Sequence, residues 1–119
     1  AEKPLFRESL AARRCVVPST GFFEWDAAKQ RFFFTLPGGP ALYMAGLWTL
    51  RNGFPCYTIL TTAANASMQP VHDRMPVVLT HSTLRPWLED ASAPADILHA
   101  IPPELHAAAA DGGTQLRLW

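Results

Sequence analysis

Short runs of apolar and alternating residues dominate the chain and predict mostly β-strands. The turns between them are rich in glycine, proline, asparagine and serine, and Asn52-Gly53 is a strong signal for a β-hairpin. Pro18 is expected to end the first strand, because proline cannot donate a backbone hydrogen bond. The predicted strands are residues 15–17, 21–26, 31–36, 41–50, 54–62 and 76–79.

Three short helices are predicted around these strands. Residues 4–14 carry an apolar stripe, with arginines in the last turn. Ser82 or Thr83 is expected to cap a second helix that reaches Asp90, with Pro86 in its first turn. The remaining predictions are a third helix at 94–101, a helical turn or irregular loop at 63–69, a mobile alanine-rich connection at 106–113, and a further strand beginning at 115–119.

This succession predicts an α+β fold, in which short helices edge an antiparallel sheet or an open barrel-like core. The length of 119 residues suits one domain, and 49% hydrophobic with 17% charged residues argues against disorder. No apolar run is long enough to cross a membrane and no signal peptide is recognisable. A cytoplasmic, reducing setting is therefore expected.

The formal net charge is zero, so any anion must be bound by a local patch rather than by the field of the whole protein. Of the ten basic residues only Lys3 and Lys29 are lysines, and arginine suits bidentate contacts to phosphate. Cys15 and Cys56 form neither a disulfide framework nor a metal motif, and both are expected to be buried in strands. We expect no metal and no cofactor.

The segment VHDRMPVVL (71–79) places polar residues at the start of an apolar strand. An imidazole such as that of His72 can move protons near neutral pH, and Asp73 could orient it. The alternative is a loop ion pair between Asp73 and Arg74 beside a surface histidine.

The segment GFFEWD (21–26) contains a second candidate, Glu24. Strand alternation puts Phe23 and Trp25 on one face, and Phe22, Glu24 and Asp26 on the other. A carboxylate half-buried among aromatic rings suits general acid–base work. The alternative is an edge-strand glutamate that faces water.

Several further residues are possible ligands for nucleic acid. Thr61, Thr62 and Asn65 could hold phosphates, or could only satisfy the backbone of their loop. Arg51 and Arg74 could contact phosphates, and Trp25 and Trp48 could stack on bases, although strand tryptophans are usually core residues.

Two segments, AEKPLFRESLAARRCVVPSTGFFEW and TTAANASMQPVHDRMPVVL, resemble motifs of the SOS response-associated peptidase (SRAP) family of abasic-site-shielding proteins. The corresponding family patterns are AEKPxFRxxxxxRRCLVPxxGFYEW and TTxANxxxxxxHxRMPxxL. Beyond Leu79 the chain follows the family only loosely. The resemblance implies a mixed α+β fold with a barrel-like core and a basic groove for single-stranded DNA.

The resemblance also implies a chemistry and roles for residues. Family members form a covalent thiazolidine between an N-terminal cysteine and the ring-opened sugar of an abasic site, and they have an autoproteolytic peptidase activity. By this match the catalytic residues would be Glu24, for proton transfer around the Schiff base, and His72, for sugar ring opening and reversal. Arg74 and Thr61 would contact the DNA backbone, and Trp25 would line the site.

The start of the chain departs from the family pattern. Members begin with a Cys-Gly-Arg segment and carry an Asn-Ala-Arg segment before the AEKP motif, whereas Ala1 stands at that motif. We therefore expect residues 1–119 to be one SRAP-like domain without the N-terminal cysteine segment and the closing strands, and unable to crosslink by itself. Alternatives are a DNA-binding module without covalent chemistry, and a hydrolase using Cys15 and His72. If the family's catalytic roles apply to this chain, His72 and Glu24 must lie near each other across one cleft.

Overall fold

A computed structural model of the protein describes residues 4–110. It confirms the α+β class, because short helices edge antiparallel sheets. No helix in this range is long and apolar enough to span a membrane. In chain order the elements are α1 (Pro4–Ala12), β1 (Arg14–Ser19), β2 (Phe22–Trp25), β3 (Arg31–Thr35), β4 (Leu42–Arg51), β5 (Phe54–Ile59), β6 (Thr61–Ala63), β7 (Arg74–Pro76), β8 (Val78–Leu79), α2 (His81–Glu89), α3 (Pro94–His99) and β9 (His106–Ala109).

The first sheet is built around the ten-residue strand β4. β1 pairs with one side of β4, while β8 and β5 follow one another along its other side. Ala45 and Leu47 face the helices and pack with the fully buried Trp87. Leu42 and Met44, on the opposite face, pack with Val78. Apolar residues on both faces of β4 explain why its sequence lacks a simple alternation.

The second sheet has the order β2-β3-β9, and β6 pairs with β7 in a separate ribbon. The rings of Phe22 and Phe34 stack with their centroids 5.3 Å apart. Phe34 belongs to a core cluster with Met68 and Met75, which come from the loop before β7 and from β7 itself. This cluster therefore holds the second sheet and the ribbon together.

Three hydrogen bonds close a ring where the first sheet meets the ribbon. Leu60, between β5 and β6, donates its N–H to the carbonyl of Ala45. The N–H of Ala45 donates to the carbonyl of Val77. Val77, between β7 and β8, donates in turn to Leu60, and each of the three N···O distances is 2.9 Å. Val77 is buried. The ring fixes both ends of the β6–β7 segment to the central strand.

The Asn52-Gly53 hairpin is confirmed, since Asn52 and Gly53 have φ of 51° and 82°, the left-handed values of a two-residue hairpin turn. Other local predictions were wrong. Pro18 does not end β1 but lies within it opposite Tyr43. β1 is an edge strand among the described residues, and an edge tolerates a residue without an N–H donor.

The second helix begins earlier than predicted. Its N-cap is Thr80, whose backbone N–H donates to Thr83 Oγ1 at 2.8 Å, so neither Ser82 nor Thr83 is the cap. Because the helix begins at His81, Pro86 lies in the second turn and not in the first. Thr83 is still part of the cap, since its hydroxyl satisfies a donor at the helix start.

The prediction of a mobile alanine-rich connection and the prediction of two buried cysteines were also wrong. The alanine-rich stretch forms strand β9, in which Ala107–Ala109 pair with Phe34, Phe33 and Phe32, whereas residues 111–113 lie outside the described range. Cys56 lies in a strand but is exposed, and Cys15 is half-buried. The predicted strand at 115–119 likewise lies outside the described residues.

Candidate nucleic-acid processing site

His72 lies in the turn between β6 and β7, and its side chain is 42% exposed. The backbone N–H of Arg74 donates to His72 Nδ1 at 3.1 Å, and Asp73 Oδ1 lies 3.5 Å from the same nitrogen. The turn is held from inside by Met68 and Val71, which pack on the core cluster with Phe34. An exposed imidazole with its Nδ1 accepting a backbone bond presents Nε2 to a ligand.

Arg74 and Thr61 are neighbours on one face of the β6–β7 ribbon. Arg74 pairs with Ala63 in register, so Thr61 is its diagonal neighbour. Arg74 Nη2 donates to the carbonyl of Thr61 at 2.9 Å and to its Oγ1 at 3.1 Å. The contact holds the guanidinium on this face of the ribbon and leaves the Nε and Nη1 hydrogens for an anion.

Glu24 is half-buried on β2, directly opposite Phe32 of β3. Directly paired residues share a sheet face, so Glu24 lies on the face of Phe22, Phe32 and Phe34. Phe22 and Phe32 pack on the cluster that also contains Met68 and Val71 of the His72 turn. The strand that carries Glu24 and the turn that carries His72 therefore pack on the same core cluster, through Phe22 and through Met68 with Val71. Within residues 4–110 no hydrogen bond or ion pair joins Glu24 to His72, and Glu24 Oε1 accepts instead from the N–H of Trp25 at 3.3 Å.

Trp25 lies on the other face of β2, as the alternation predicted, and is 51% exposed. The Arg31 guanidinium lies 4.6 Å from the ring centroid of Phe23 and 6.0 Å from that of Trp25. β2 is an edge of its sheet among the described strands. A ligand that touches both Glu24 and Trp25 must therefore pass over this edge.

Gly21 begins the segment that carries Glu24, and steric contact explains the absence of a side chain there. A Cβ at this position would lie 2.5 Å from both the carbonyl oxygen of Phe34 and Cζ of Phe33. Glycine thus permits the close approach of β2 to β3. The sequence analysis assigned Gly21 no part in the site. Its position at the start of the GFFEWD segment was the feature that could have indicated its role.

Asn65 has a structural role. Of the two alternatives, phosphate binding and satisfying the backbone, its hydrogen bonds support the second. It is buried, and its Nδ2 donates to the carbonyls of Pro102 and Pro103 at 3.0 Å each. Its Oδ1 accepts from Ser67 N–H at 3.1 Å and from Ser67 Oγ at 2.6 Å. Ser67 Oγ also accepts from the N–H of Leu105 at 2.9 Å, a role that sequence reasoning missed. The loop before His72 is thereby tied to the chain that leads into β9.

The remaining candidates lie elsewhere. Trp48 and Arg51 belong to β4 of the first sheet, and no contact joins them to His72 in the part of the chain that is described. Burial raises the pKa of the Cys15 thiol, which disfavours the thiolate that a cysteine nucleophile needs. Among residues 4–110 no group of three or more histidine, cysteine, aspartate or glutamate side chains could hold a metal ion.

Comparison with known proteins identifies relatives of similar sequence. The sequence profile described as SOS response associated peptidase (SRAP) matches residues 1–110. Abasic site processing protein YoaM of Bacillus subtilis is 36% identical over 109 residues, which cover 84% of this chain and 48% of the relative. Abasic site processing protein HMCES of Xenopus tropicalis is 33% identical over 131 residues, covering 86% and 39%. The chain spans about half the length of the curated relatives it matches, or less.

Solved structures with similar sequences share the fold. A protein of Bordetella bronchiseptica has a TM-score of 0.78 and 31% identity, covering 89% of this chain and 59% of that one. A protein of Bacteroides thetaiotaomicron has a TM-score of 0.77 and 29% identity, covering 92% and 54%. With the profile match over residues 1–110, these likenesses establish that the chain belongs to the SOS response associated peptidase (SRAP) family.

Proposed function

We propose that the protein containing this chain processes abasic sites in single-stranded DNA, and that its complete form crosslinks to them as a thiazolidine through an N-terminal cysteine. Associated autoproteolytic peptidase activity belongs to the same proposal. The observation that carries it is that strand β2, which bears Glu24, and the His72 turn pack on one core cluster, with the Arg74–Thr61 contact on the adjoining ribbon. Two proton-transfer groups and an anion-binding group then serve one DNA strand.

His72 acts first in this proposal. An abasic deoxyribose is a closed hemiacetal, and opening it transfers the hydroxyl proton of C1′ to a base while the ring oxygen gains a proton. With Nδ1 held by the Arg74 N–H, the neutral ring carries its hydrogen on Nε2. It donates this proton to the ring oxygen and regains one on the same nitrogen from the C1′ hydroxyl through a bridging water molecule, so the imidazole ends neutral. The product is the free aldehyde.

Glu24 acts on the next step. The α-amine of the cysteine adds to the aldehyde, and loss of water gives a Schiff base; the thiol sulfur then bonds to the same carbon while the nitrogen takes a proton. The Glu24 carboxyl gives a proton to the departing hydroxyl and recovers one from the attacking groups. Its half-buried position among Phe22 and Phe32 keeps bulk water from competing for these protons.

DNA is held by the groups around this centre. The Arg74 guanidinium, already oriented by Thr61, meets a backbone phosphate with its remaining N–H hydrogens. The exposed ring of Trp25, beyond the edge of β2, stacks on a base of the strand that crosses that edge.

The proposal is tested by incubating the protein from the complete reading frame with a single-stranded oligonucleotide that carries one abasic site. An adduct that survives denaturing electrophoresis is expected. We expect Glu24→Gln and His72→Ala to slow its formation by about 100-fold each, the usual contribution of one general acid–base group. Borohydride should trap a Schiff base in His72→Ala less often than in the native protein, because less aldehyde is available.

Two substitutions serve as matched controls. His81→Ala and Glu89→Gln change exposed residues of the same types on α2, away from the proposed centre, and should leave the rate unchanged. No adduct from a protein with an N-terminal cysteine would refute the crosslinking proposal. Salt-dependent DNA binding without an adduct would then favour a binding module without covalent chemistry.

A further inference from the structure

We propose that Arg31 is a positioning residue for DNA binding, because its buried guanidinium holds the indole ring of Trp25 in place to stack on a base. The inference rests on the proposed function, in which Trp25 meets the DNA strand. It adds a residue that lies outside both sequence motifs and has no role in the proposed chemistry. The contacts of Arg31 on the sheet face that carries Phe23 and Trp25 support it.

The pairing of β2 with β3 brings Arg31 and Trp25 together, since they lie directly opposite each other. The N–H of Asp26 donates to the carbonyl of Gln30 at 3.0 Å, so Asp26 and Gln30 form a hydrogen-bonded pair. Bonded and non-bonded pairs alternate in an antiparallel ladder, so Trp25 and Arg31 form the kind of pair without hydrogen bonds, in which side chains lie closer together. The two side chains therefore share one sheet face at short range.

The backbone of Arg31 is fixed on β3, the central strand of the second sheet. Its carbonyl accepts from the N–H of Ala110 at 2.8 Å and from Gln30 Nε2 at 3.0 Å. Asp26 closes the turn that leads into β3, because its Oδ1 accepts from the N–H groups of Ala28 and Gln30 at 2.9 Å each. Arg31 is thus a fixed point from which a neighbouring side chain can be oriented.

The side chain of Arg31 connects Trp25 to two other aromatic rings. The ring centroids of Phe23 and Phe33 lie 4.8 Å apart. The Arg31 guanidinium lies 4.6 Å from the ring centroid of Phe23 and 6.0 Å from that of Trp25. Because the faces of aromatic rings carry partial negative charge, a guanidinium is attracted to both. Phe23 therefore helps to hold the guanidinium, and the guanidinium holds Trp25.

The exposed fractions of the two side chains separate their roles. Trp25 is 51% exposed, whereas Arg31 is 7% exposed. A guanidinium buried to this degree is shielded from a phosphate, while the indole ring can meet a base. A ring that is oriented in advance loses less rotational freedom when the base arrives. With one face of the indole turned to Arg31, the opposite face is left for base stacking.

The proposal is tested with a double-mutant cycle on the protein from the complete reading frame, by fluorescence anisotropy with an undamaged oligothymidylate. Trp25→Ala should weaken binding about 10-fold, within the range for one base–aromatic stack. Arg31→Lys keeps the charge but loses the planar group, and should weaken binding about 2- to 5-fold, the contribution of one exposed cation–π contact. In the Trp25→Ala background Arg31→Lys should have no further effect, because Arg31 acts through Trp25.

An equal effect of Arg31→Lys with and without Trp25 would overturn the proposal, because Arg31 would then act on the fold or on DNA directly. No effect of Arg31→Lys in the native background would also overturn it. The matched control is Arg14→Lys. The Arg14 guanidinium lies 5.7 Å from the ring centroid of the buried Trp87, away from the proposed DNA surface, and this change should leave the affinity unaltered.

The adduct assay on abasic DNA reports on the proposed function separately. A native protein that forms the adduct but gives either contrary result of the cycle, or binds no oligothymidylate, keeps the proposed function and loses only the role of Arg31. A protein that binds the oligothymidylate and follows the expected cycle but forms no adduct loses the crosslinking proposal and keeps the role of Arg31. A protein that does neither refutes both.

A second measurement needs no substitution at Arg31. In nitrogen–proton spectra the Arg31 Nε–H signal should shift when the oligothymidylate is added to the native protein, because the stacked base changes the surroundings of Trp25. In the Trp25→Ala variant the same signal should stay in place. A shift in both proteins would show direct contact between Arg31 and DNA, and a shift in neither would show that Arg31 does not sense the base; each result contradicts the proposal.

Discussion

The backbone N–H of Arg74 donates a hydrogen bond to Nδ1 of His72, with 3.1 Å between the nitrogens. An imidazole nitrogen that accepts a hydrogen bond carries no hydrogen, so the neutral ring of His72 is the Nε2–H tautomer. His99 has the opposite arrangement, because its Nδ1 lies 2.7 Å from the carbonyl oxygen of Ala95, which can only accept. The two histidines therefore differ in which nitrogen is protonated.

This difference is directly measurable. Long-range nitrogen–proton correlation spectra above the titration range of histidine should assign Nε2–H to His72 and Nδ1–H to His99. The His99 signal is the control, since it shows that the method distinguishes the tautomers in this protein. An Nδ1–H tautomer at His72 would contradict the proposed donation from Nε2 to the sugar.

Arg74→Met is expected to weaken single-stranded DNA binding uniformly across sequences. A plot of the logarithm of the DNA affinity against the logarithm of the salt concentration has a negative slope. Because one phosphate contact is lost, this slope should become less steep by about 0.7. Thr61→Val, which removes one of the two oxygens that orient the guanidinium, should weaken binding less and leave that slope nearly unchanged. Fluorescence anisotropy over a range of salt concentrations measures both.

The matched control for Arg74 is Arg85→Met. Arg85 is an exposed arginine of α2 whose Nε lies 3.7 Å from Glu89 Oε2. An equal loss of DNA affinity in the two variants would show that Arg74 contributes only overall charge.

Asn65→Asp is expected to destabilise the fold, since a carboxylate oxygen would replace the Nδ2 group that now bonds to Pro102 and Pro103. Two carbonyls would lose their donor at a buried position. At about 1–3 kcal/mol for an unsatisfied buried polar group, the free energy of unfolding should fall by about 2 kcal/mol or more. Urea denaturation measures the change, and Gln69→Ala, at an exposed residue of the same loop, should stay within about 0.5 kcal/mol of the native protein.

Gly21→Ala is expected to disturb the strand that carries Glu24. The new Cβ would meet the Phe34 carbonyl oxygen at 2.5 Å, a backbone atom that cannot move aside without shifting β3. Overpacking of this kind costs about 1–3 kcal/mol. We expect a lower melting temperature and a loss of crosslinking. Gly46→Ala is a graded comparison, because its nearest contacts would be 3.1 Å, and it should cost less.

Local sequence determined the features that depend on neighbouring residues. Asn52-Gly53 encodes the hairpin between β4 and β5, because few residue pairs adopt its positive φ angles. The period of two in Phe22–Trp25 placed Glu24 and Trp25 on opposite faces, and the two motifs identified the family. The α+β class followed from the strand pattern with its short helical segments.

Tertiary structure decided what depends on distant partners. Residues 106–109 carry no local strand signal and become β9 because β3 offers an edge to pair with. Asn65 is a structural residue because Pro102 and Pro103 present their carbonyls to it. The packing of strand β2 and of the His72 turn on one core cluster likewise joins Phe22 and Phe34 to Met68 and Val71, which are far apart in the chain. Backbone pairing and side-chain packing between distant segments leave no trace in the local pattern, so only the folded chain reveals them.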